Sequence, residues 1–217
     1  MRTAWSGTPG IAKQVAWVPG LELARVRAAG KAYGGTVNDI LLAVISRALT
    51  RYLDEEEALV DEIHWLVPVS LSPLDAELPP ELGNHFSLIF LPMPLGIRDP
   101  QRLIDQIGGH MTRIKESAEP VVTFGIQWVL AESPTSLAVG LTNLLANKAV
   151  GVLTNVPGPR TPMTFAGVPV AGMVGWAPCS GDEPMSLSIF SYNGEVTIAV
   201  AADAALIPDP GRIAALI

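Results

Sequence analysis

Cysteine is the residue that this sequence has least of. Cys179 is the single cysteine among 217 residues, so an internal disulfide is impossible and a thiolate zinc cage would need ligands that the chain lacks. A thiolate at Cys179 would be nucleophilic if its pKa were lowered, but no Lys or Arg lies beside it in the sequence to lower it. This cysteine usage fits a reducing compartment, and we expect a cytoplasmic protein.

Histidines are also few, and they are isolated. His64, His85 and His110 have no second His or Cys at the spacing of metal ligands. Each could act as a single general base where geometry and pKa suit, and an imidazole without a chemical role is the alternative. The sequence also lacks glycine-rich phosphate-binding loops and the Gly-x-Ser-x-Gly nucleophile elbow, which excludes nucleotide binding by those loops and an α/β-hydrolase nucleophile.

Positive charge is scarce as well. Lys and Arg total 14 against 21 Asp and Glu, and six of these acids lie within residues 54–62. Because the net charge of −7 includes those six negative charges, the rest of the chain carries only −1. No stripe of basic residues is available to hold a phosphate backbone, so the sequence predicts no nucleic-acid partner.

Long hydrophobic runs are absent although 49% of the residues are hydrophobic. Residues 1–10 do not have the pattern of a secretory signal. The most apolar region, residues 121–153, has only Glu132 and Lys148 as charged residues, and polar residues interrupt it. A spanning helix needs about 18 nearly unbroken apolar residues. We interpret this region as two buried core helices, Phe124–Ala131 and Thr135–Ala149, with a helix lying in a membrane interface as the alternative.

The hydrophobic patterning that is present predicts strands alternating with helices. The predicted order is a strand at Val15–Val18, a turn at Pro19-Gly20, helices at Leu21–Tyr33 and from Thr36, central strands at His64–Leu71 and Phe86–Leu91, a helix from Asp99-Pro100, a strand at Gly151–Val156, and a hairpin at Met185–Ala201 turning at Asn193-Gly194. This order is typical of an α/β protein, here an α+β mixed sheet covered by helices.

One face of the predicted hairpin is made of small residues. Ser186, Ser188, Thr197 and Ala199 alternate with large apolar residues along the two strands. Such a face leaves room for a closely packed helix or for a narrow channel, and we expect the helix.

Two short segments stand out for their local chemistry. Thr36 and Asp39 have the spacing of a capping box, which accounts for Asp39 without any catalysis. The segment Asn155-Val156-Pro157-Gly158-Pro159 predicts a fixed bend at the end of a strand, because each proline favours extended geometry in the residue before it. Such a bend either terminates a sheet or holds backbone groups open beside a ligand.

Five motifs occur in the order seen in one protein family. They are Thr36-Val37-Asn38-Asp39-Ile40-Leu41-Leu42-Ala43, Pro68-Val69-Ser70-Leu71, Leu82-Gly83-Asn84 with Ser87, Thr154 to Pro159, and Ser191-Tyr192-Asn193-Gly194. By these motifs the chain resembles the C-terminal half of bacterial wax ester synthase/acyl-CoA:diacylglycerol acyltransferases. The resemblance divides the chain into an N-terminal lead-in, residues 1–14, and a C-terminal-like domain, residues 15–217.

The resemblance implies a fold and a site. Family members are similar to chloramphenicol acetyltransferase and to condensation domains, in which two sandwich-like halves face each other across a tunnel. By resemblance, Asn38 and Asp39 would lie near that tunnel, and the bend with Asn155, Pro157, Gly158 and Pro159 would form its wall together with the loop Trp176–Asp182. No catalytic residue is assigned in this chain, because the family's base is the second His of a His-His-x-x-x-Asp-Gly motif that the sequence does not contain.

The hypothesis is therefore a C-terminal half of an O-acyltransferase, which transfers acyl groups from acyl-CoA to diacylglycerol or a long-chain alcohol. It would need a histidine-bearing N-terminal half for catalysis. The implied partners are that half or a second copy of the chain, with acyl-CoA and a lipid alcohol as substrates and no cofactor or metal. Peripheral contact with a membrane or lipid bodies stays open. The alternative is a non-catalytic lipid-binding, acyl-binding or self-associating protein.

Overall fold

The computed structural model describes residues 3–70, 86–179 and 181–217. These residues form a large sheet, a small hairpin and helices on both faces of the sheet. The elements in chain order are β1 (Lys13–Glu22), α1 (Leu23–Tyr33), α2 (Val37–Glu55), β2 (Glu62–Ser70), β3 (Phe86–Pro94), α3 (Pro100–Glu116), α4 (Glu119–Ala131), α5 (Thr135–Ala146), β4 (Gly151–Pro157), β5 (Thr164–Phe165), β6 (Val168–Pro169), β7 (Met185–Tyr192), β8 (Glu195–Asp203) and α6 (Pro210–Leu216).

The large sheet is mixed, with the strand order β1-β8-β7-β4-β2-β3. β4 runs parallel to both of its neighbours, β7 and β2, whereas the other neighbouring pairs are antiparallel. The β7–β8 hairpin turns through Asn193 and Gly194, whose positive φ angles of 47° and 84° are those of a type I′ turn. The predicted mixed sheet and the predicted hairpin are confirmed.

The hydrophobic core lies on one face of this sheet. α2 occupies the middle of that face and contacts α1, α3 and α6. Leu41 and Leu49 of α2 are fully buried, and Leu187 and Ile198 of the hairpin are buried in the same cluster. Burying each such side chain stabilises the fold by about 1.5–3 kcal/mol. Trp5, which precedes β1, is also buried in this core.

The turn predicted at Pro19-Gly20 is wrong, because β1 continues through both residues. The register of β1 against β8 shifts between Val18 and Leu21, so the two residues form a bulge rather than a chain reversal. β1 is an edge strand, where a proline interrupts pairing on one side only, and Gly20 accepts the positive φ of 70° that the bulge requires.

β3 lies at the opposite edge of the sheet and not in its centre as predicted, whereas β2 is central as predicted. The two prolines in β3, Pro92 and Pro94, suit an edge position, because they have no N–H to donate to a further strand. The hydrophobic run alone could not distinguish the two positions.

α4 and α5 lie on the other face of the sheet, where α4 packs against β3 and α5. The prediction of two buried core helices is wrong: Val121 is 69% exposed and Trp128 is 63% exposed. The apolar composition of the two helices favours an apolar environment for them. It does not show that other residues of this chain cover them. Within the described residues, no helix is long and apolar enough to cross a membrane.

On its small-residue face the β7–β8 hairpin contacts an irregular segment at Ala177, and not the predicted helix. The Ala177 N–H donates to Ser188 Oγ at 3.3 Å, and Ser186 Oγ donates to the Ala177 carbonyl at 2.6 Å. The two serines are therefore hydrogen-bonding partners for the backbone of Ala177.

Candidate functional site

The first turn of α2 is fixed by a capping box. Thr36 Oγ1 accepts from the Asp39 N–H at 3.2 Å, and Asp39 Oδ2 accepts from the Thr36 N–H at 2.8 Å and from Thr36 Oγ1 at 2.7 Å. Asp39 is only 6% exposed. The predicted capping box is confirmed, and the carboxylate of Asp39 is used to hold the helix start in place.

A side-chain bridge connects this first turn to the end of β4. Asn155 Nδ2 donates to Asn38 Oδ1 at 2.9 Å, across 117 positions of sequence. Asn155 itself is exposed and Asn38 is half-buried. The structure thus brings together two of the segments on which the family resemblance depends, and it places them at the surface.

The bend after Asn155 is held against the β7–β8 hairpin. The Gly158 N–H donates to Ser191 Oγ at 3.2 Å, and the Asn193 N–H donates to the Pro159 carbonyl at 2.9 Å. A Cβ at Gly158 would lie 2.1 Å from the Ser191 carbonyl oxygen, so only glycine fits there. With Pro157 closing β4, the bend is a rigid extension of the sheet.

The Asn38–Asn155 bridge lies on the face of the sheet that carries α2. Leu153 of β4 is buried in the core beside α2, and Asn155, two residues later, points to the same side. Val152 points the other way and lines a cavity beneath α4 and α5. The bridge and the α4–α5 pair are therefore on opposite faces.

The structure does not bring the loop Trp176–Asp182 to this bridge. Its Ala177 bonds to Ser186 and Ser188, which point away from the core because they alternate with the buried Leu187. Trp176 packs edge-on against Trp17 of β1, with ring centroids 6.1 Å apart. Ser180 of this loop lies outside the described residues.

Neither described histidine hydrogen-bonds to the bridge. His64 Nε2 lies 3.5 Å from Glu62 Oε1, and His110 Nδ1 forms a 2.9 Å hydrogen bond with the Pro92 carbonyl. His85 and the motif Leu82-Gly83-Asn84 lie outside the described residues.

Cys179 does not have the properties of a nucleophile. Desolvation at its thiol, with the Glu183 carboxylate nearby, raises the pKa of Cys179 to about 11, although the residue as a whole is exposed. The thiol therefore stays protonated at neutral pH. Among the described residues, no group of three or more His, Cys, Asp or Glu side chains could hold a metal ion.

Tyr192 fixes the base of the small β5–β6 hairpin, a role that the sequence patterns did not indicate. Its hydroxyl accepts from the Met163 N–H at 2.8 Å and donates to the Val170 carbonyl at 2.9 Å. The one sequence signal at this residue is its place in the Ser191–Gly194 motif, which predicts a turn but no partner for the hydroxyl.

A cavity beneath α4 and α5 was also not predicted. Its volume is ≈ 240 Å³, and its lining includes Leu66, Phe90, Leu130 and Leu145. Gln127 lines it too, and Gln127 Oε1 is buried there without a hydrogen-bond partner. No sequence pattern predicted this cavity, because it forms between elements that are far apart in the chain.

The fold is similar to that of solved acyl-transfer and condensation enzymes. It matches the wax ester synthase/diacylglycerol acyltransferase from Marinobacter aquaeolei VT8 with a TM-score of 0.74 and 22% identity, over 100% of this chain and 49% of that chain. It matches the first condensation domain of the calcium-dependent antibiotic synthetase with a TM-score of 0.56 and 13% identity, over 99% of this chain and 45% of that one. The predicted fold class, one half of a condensation-domain-like sandwich, is confirmed.

Sequence comparison identifies the family. The chain is 29% identical over 201 residues to a Mycobacterium tuberculosis protein named "Probable diacyglycerol O-acyltransferase Tgs4", with 90% of this chain and 42% of that protein covered. It is 27% identical over 198 residues to the M. tuberculosis protein named "Probable diacyglycerol O-acyltransferase tgs1", again over 42% of that protein. The chain thus spans about two-fifths of the length of these relatives. The model of the WS/DGAT C-terminal domain matches residues 82–217, and the chain belongs to this acyltransferase family.

Proposed function

We propose that this chain forms the C-terminal wall of an O-acyltransferase that transfers an acyl group from acyl-CoA to diacylglycerol or a long-chain alcohol. The products would be triacylglycerol or a wax ester. Membership of the family supports the reaction class and favours it over a non-catalytic binding protein. The observation that carries the proposal is the Asn38–Asn155 bridge, because it joins two family motifs at an exposed position.

The base is proposed to come from another segment, the histidine-bearing N-terminal half. The reaction needs a base that takes the proton of the acceptor hydroxyl while its oxygen attacks the thioester carbonyl, and that returns the proton to the departing coenzyme A thiolate. The sequence contains no His-His-x-x-x-Asp-Gly motif. Of its described histidines, His110 is engaged with a backbone carbonyl and His64 lies beside Glu62.

The residues of this chain would position and enclose the reactants. The capping box fixes the first turn of α2, the bridge ties that turn to β4, and Gly158 locks the bend to the hairpin. We propose that the surface around the bridge faces the other half across the tunnel. A positional error of about 1 Å at such a wall can cost about a hundredfold in rate.

Turnover of acyl-CoA by the 217-residue chain, alone and mixed with a histidine-bearing N-terminal half of a family member, tests this proposal. Loss of a general base commonly costs about 10² to 10⁴ in rate, so the chain alone should give no more than background turnover, and the mixture should be active. Full turnover by the chain alone would contradict the proposal.

The bridge is tested in the same assay with Asn155→Ala. Removing one such hydrogen bond, worth about 0.5–1.5 kcal/mol, should lower turnover of the mixture by a factor of about 2 to 13. Asn143→Ala removes another exposed asparagine, on α5, and should leave turnover unchanged. Equal losses in both variants would show that the bridge has no special role.

A further inference from the structure

Asn147, at the end of α5, is bonded to the last residue of the loop Trp176–Asp182. Asn147 Nδ2 donates to Asp182 Oδ2 at 3.0 Å, and Asn147 Oδ1 accepts from the Asp182 N–H at 2.9 Å. We call this pair the Asn147–Asp182 clasp. Both ends of the asparagine amide are engaged, so only one orientation of the side chain satisfies both bonds.

The loop is shaped to fit around Asn147. Gly181 has a φ angle of 56°, in the left-handed region. A Cβ at Gly181 would lie 2.5 Å from Asn147 Oδ1. Glycine is therefore required both by the backbone conformation and by the close approach to Asn147.

The two attachments of the loop differ in their exposure to solvent. On one side, Ala177 is bonded to Ser186 and Ser188 of β7, and these bonds are partly buried. On the other side, the bonds of the clasp are exposed. Exposed hydrogen bonds belong to the parts of a protein that open first, so the clasp is the attachment that controls opening of the loop.

The loop covers a cavity of ≈ 270 Å³, whose lining includes Lys13, Cys179 and Asp203. Glu183, which directly follows the clasp, is buried. It lines this cavity and also the cavity beneath α4 and α5. Release of Asp182 would therefore shift the cover of the first cavity together with the residue that the two cavities share.

We propose that Asn147 is a positioning residue, whose clasp on Asp182 holds the loop Trp176–Asp182 closed over the cavity beside Cys179. By resemblance this loop is part of the tunnel wall, although it lies away from the Asn38–Asn155 bridge. A wall at that place contacts bound substrate and not the reacting atoms, a consequence that rests on the proposed function. Opening the loop should therefore weaken substrate binding more than it slows the chemical step.

The rate at which Ellman's reagent modifies Cys179, the single cysteine of the chain, measures opening of the loop. Asn147→Asp removes the amide donor and places a second carboxylate beside Asp182. Modification should then be roughly five- to tenfold faster at constant pH. The matched control is Asn143→Asp, the same change at an exposed position one turn earlier in α5, and it should react as the parent does.

A double variant tests whether the bonds themselves are responsible. Asn147→Asp combined with Asp182→Asn exchanges the two side chains, so that the carboxylate accepts from the amide side chain and from the backbone N–H of position 182. We expect modification of Cys179 to slow again toward the rate of the parent. Circular dichroism and thermal unfolding confirm that each variant is folded.

Turnover of acyl-CoA by the mixture with a histidine-bearing N-terminal half provides a second readout. Asn147→Asp should raise KM several-fold and leave kcat nearly unchanged, because it loosens a wall and not the reacting groups. The double variant should restore KM, and Asn143→Asp should not change it.

Three results with the thiol reagent would overturn the proposal: equal rates for the parent and Asn147→Asp, equal acceleration in Asn143→Asp, or a double variant that reacts as fast as Asn147→Asp. In an active mixture, a lower kcat at unchanged KM would overturn the positioning role. Thiol modification involves no acyl transfer, so a mixture without turnover contradicts only the proposed function, and the thiol rates then decide on the clasp.

Discussion

At the scale of single residues, the site depends on short polar side chains that organise backbone. Asp39 satisfies the amide of Thr36, and Asn155 reaches Asn38 across the end of the sheet. Helix N-termini have N–H groups without intrahelical partners, so a side-chain cap contributes both stability and position. The hydrogen bonds between Asp39 and Thr36 are sufficient to explain an aspartate at the start of α2, without any role for it in catalysis.

Thr36→Ala should therefore destabilise the whole fold, because α2 lies in the middle of the core face. The expected loss in the free energy of unfolding is about 1 kcal/mol, within a range of about 0.5–2 kcal/mol. Urea unfolding measures it. Thr112→Ala, at an exposed position of α3, is the matched control and should be neutral or slightly stabilising; a loss as large as that of Thr36→Ala would argue against the cap.

At the scale of elements, sequence patterns predicted what is locally determined. The start of α2 and the β7–β8 turn follow from residues within a few positions of each other, namely Thr36 with Asp39 and Asn193 with Gly194. The passage of β1 through Pro19-Gly20 depends on its pairing with β8, some 180 residues away, and the exposure of α4 depends on what the rest of the chain leaves open. Those features could not be read from local pattern.

The bend at the end of β4 should tolerate no side chain at Gly158. In Gly158→Ala the new Cβ would lie 2.1 Å from the Ser191 carbonyl oxygen, so the bend must shift. We expect a loss of about 1–3 kcal/mol in the free energy of unfolding and reduced turnover of the mixture. Gly172→Ala has open space around it and no positive φ, and should change neither quantity; stability of Gly158→Ala equal to that of the parent would contradict the close packing described for the bend.

The pairing of β1 with the end of β8 should depend on pH through Asp203. Burial raises the pKa of this carboxyl, but hydrogen bonds from Lys13 and from the backbone N–H groups of Gly10 and Ala205 outweigh burial and hold the pKa below its ordinary value. Because the pKa is lower in the folded state, this contribution to stability is present above about pH 4 and is lost as the pH falls through the folded pKa.

Urea unfolding over a series of pH values tests this contribution with Asp203→Asn. The difference in stability between parent and variant should be largest near neutral pH and should shrink in acid. Asp61→Asn changes an exposed carboxylate and should preserve the pH dependence of the parent. A difference between parent and Asp203→Asn that is constant with pH would mean that the charge of Asp203 is not involved.

At the scale of the whole molecule, the two faces of the sheet have different surroundings. One face carries the core, α2 and the Asn38–Asn155 bridge, and the other carries α4, α5 and the segment around Ala177. The family motifs pointed to the bridge residues, but the location of the bridge relative to α4 and α5 follows only from the alternation of Val152 and Leu153 in the folded strand. We propose that the other enzyme half docks on the first face.

Hydrogen exchange of the chain, alone and mixed with a histidine-bearing N-terminal half, measures directly where that half docks. In the first turn of α2 the Asp39 N–H is held by Thr36 Oγ1, but the N–H groups of Val37 and Asn38 have no intrahelical partner and should exchange faster than the rest of the helix in the free chain. We expect the second half to slow exchange in this turn and in residues 155–158, and to leave exchange in α4 and α5 unchanged. Protection of α4 and α5, with no change at the bridge, would contradict docking on the α2 face.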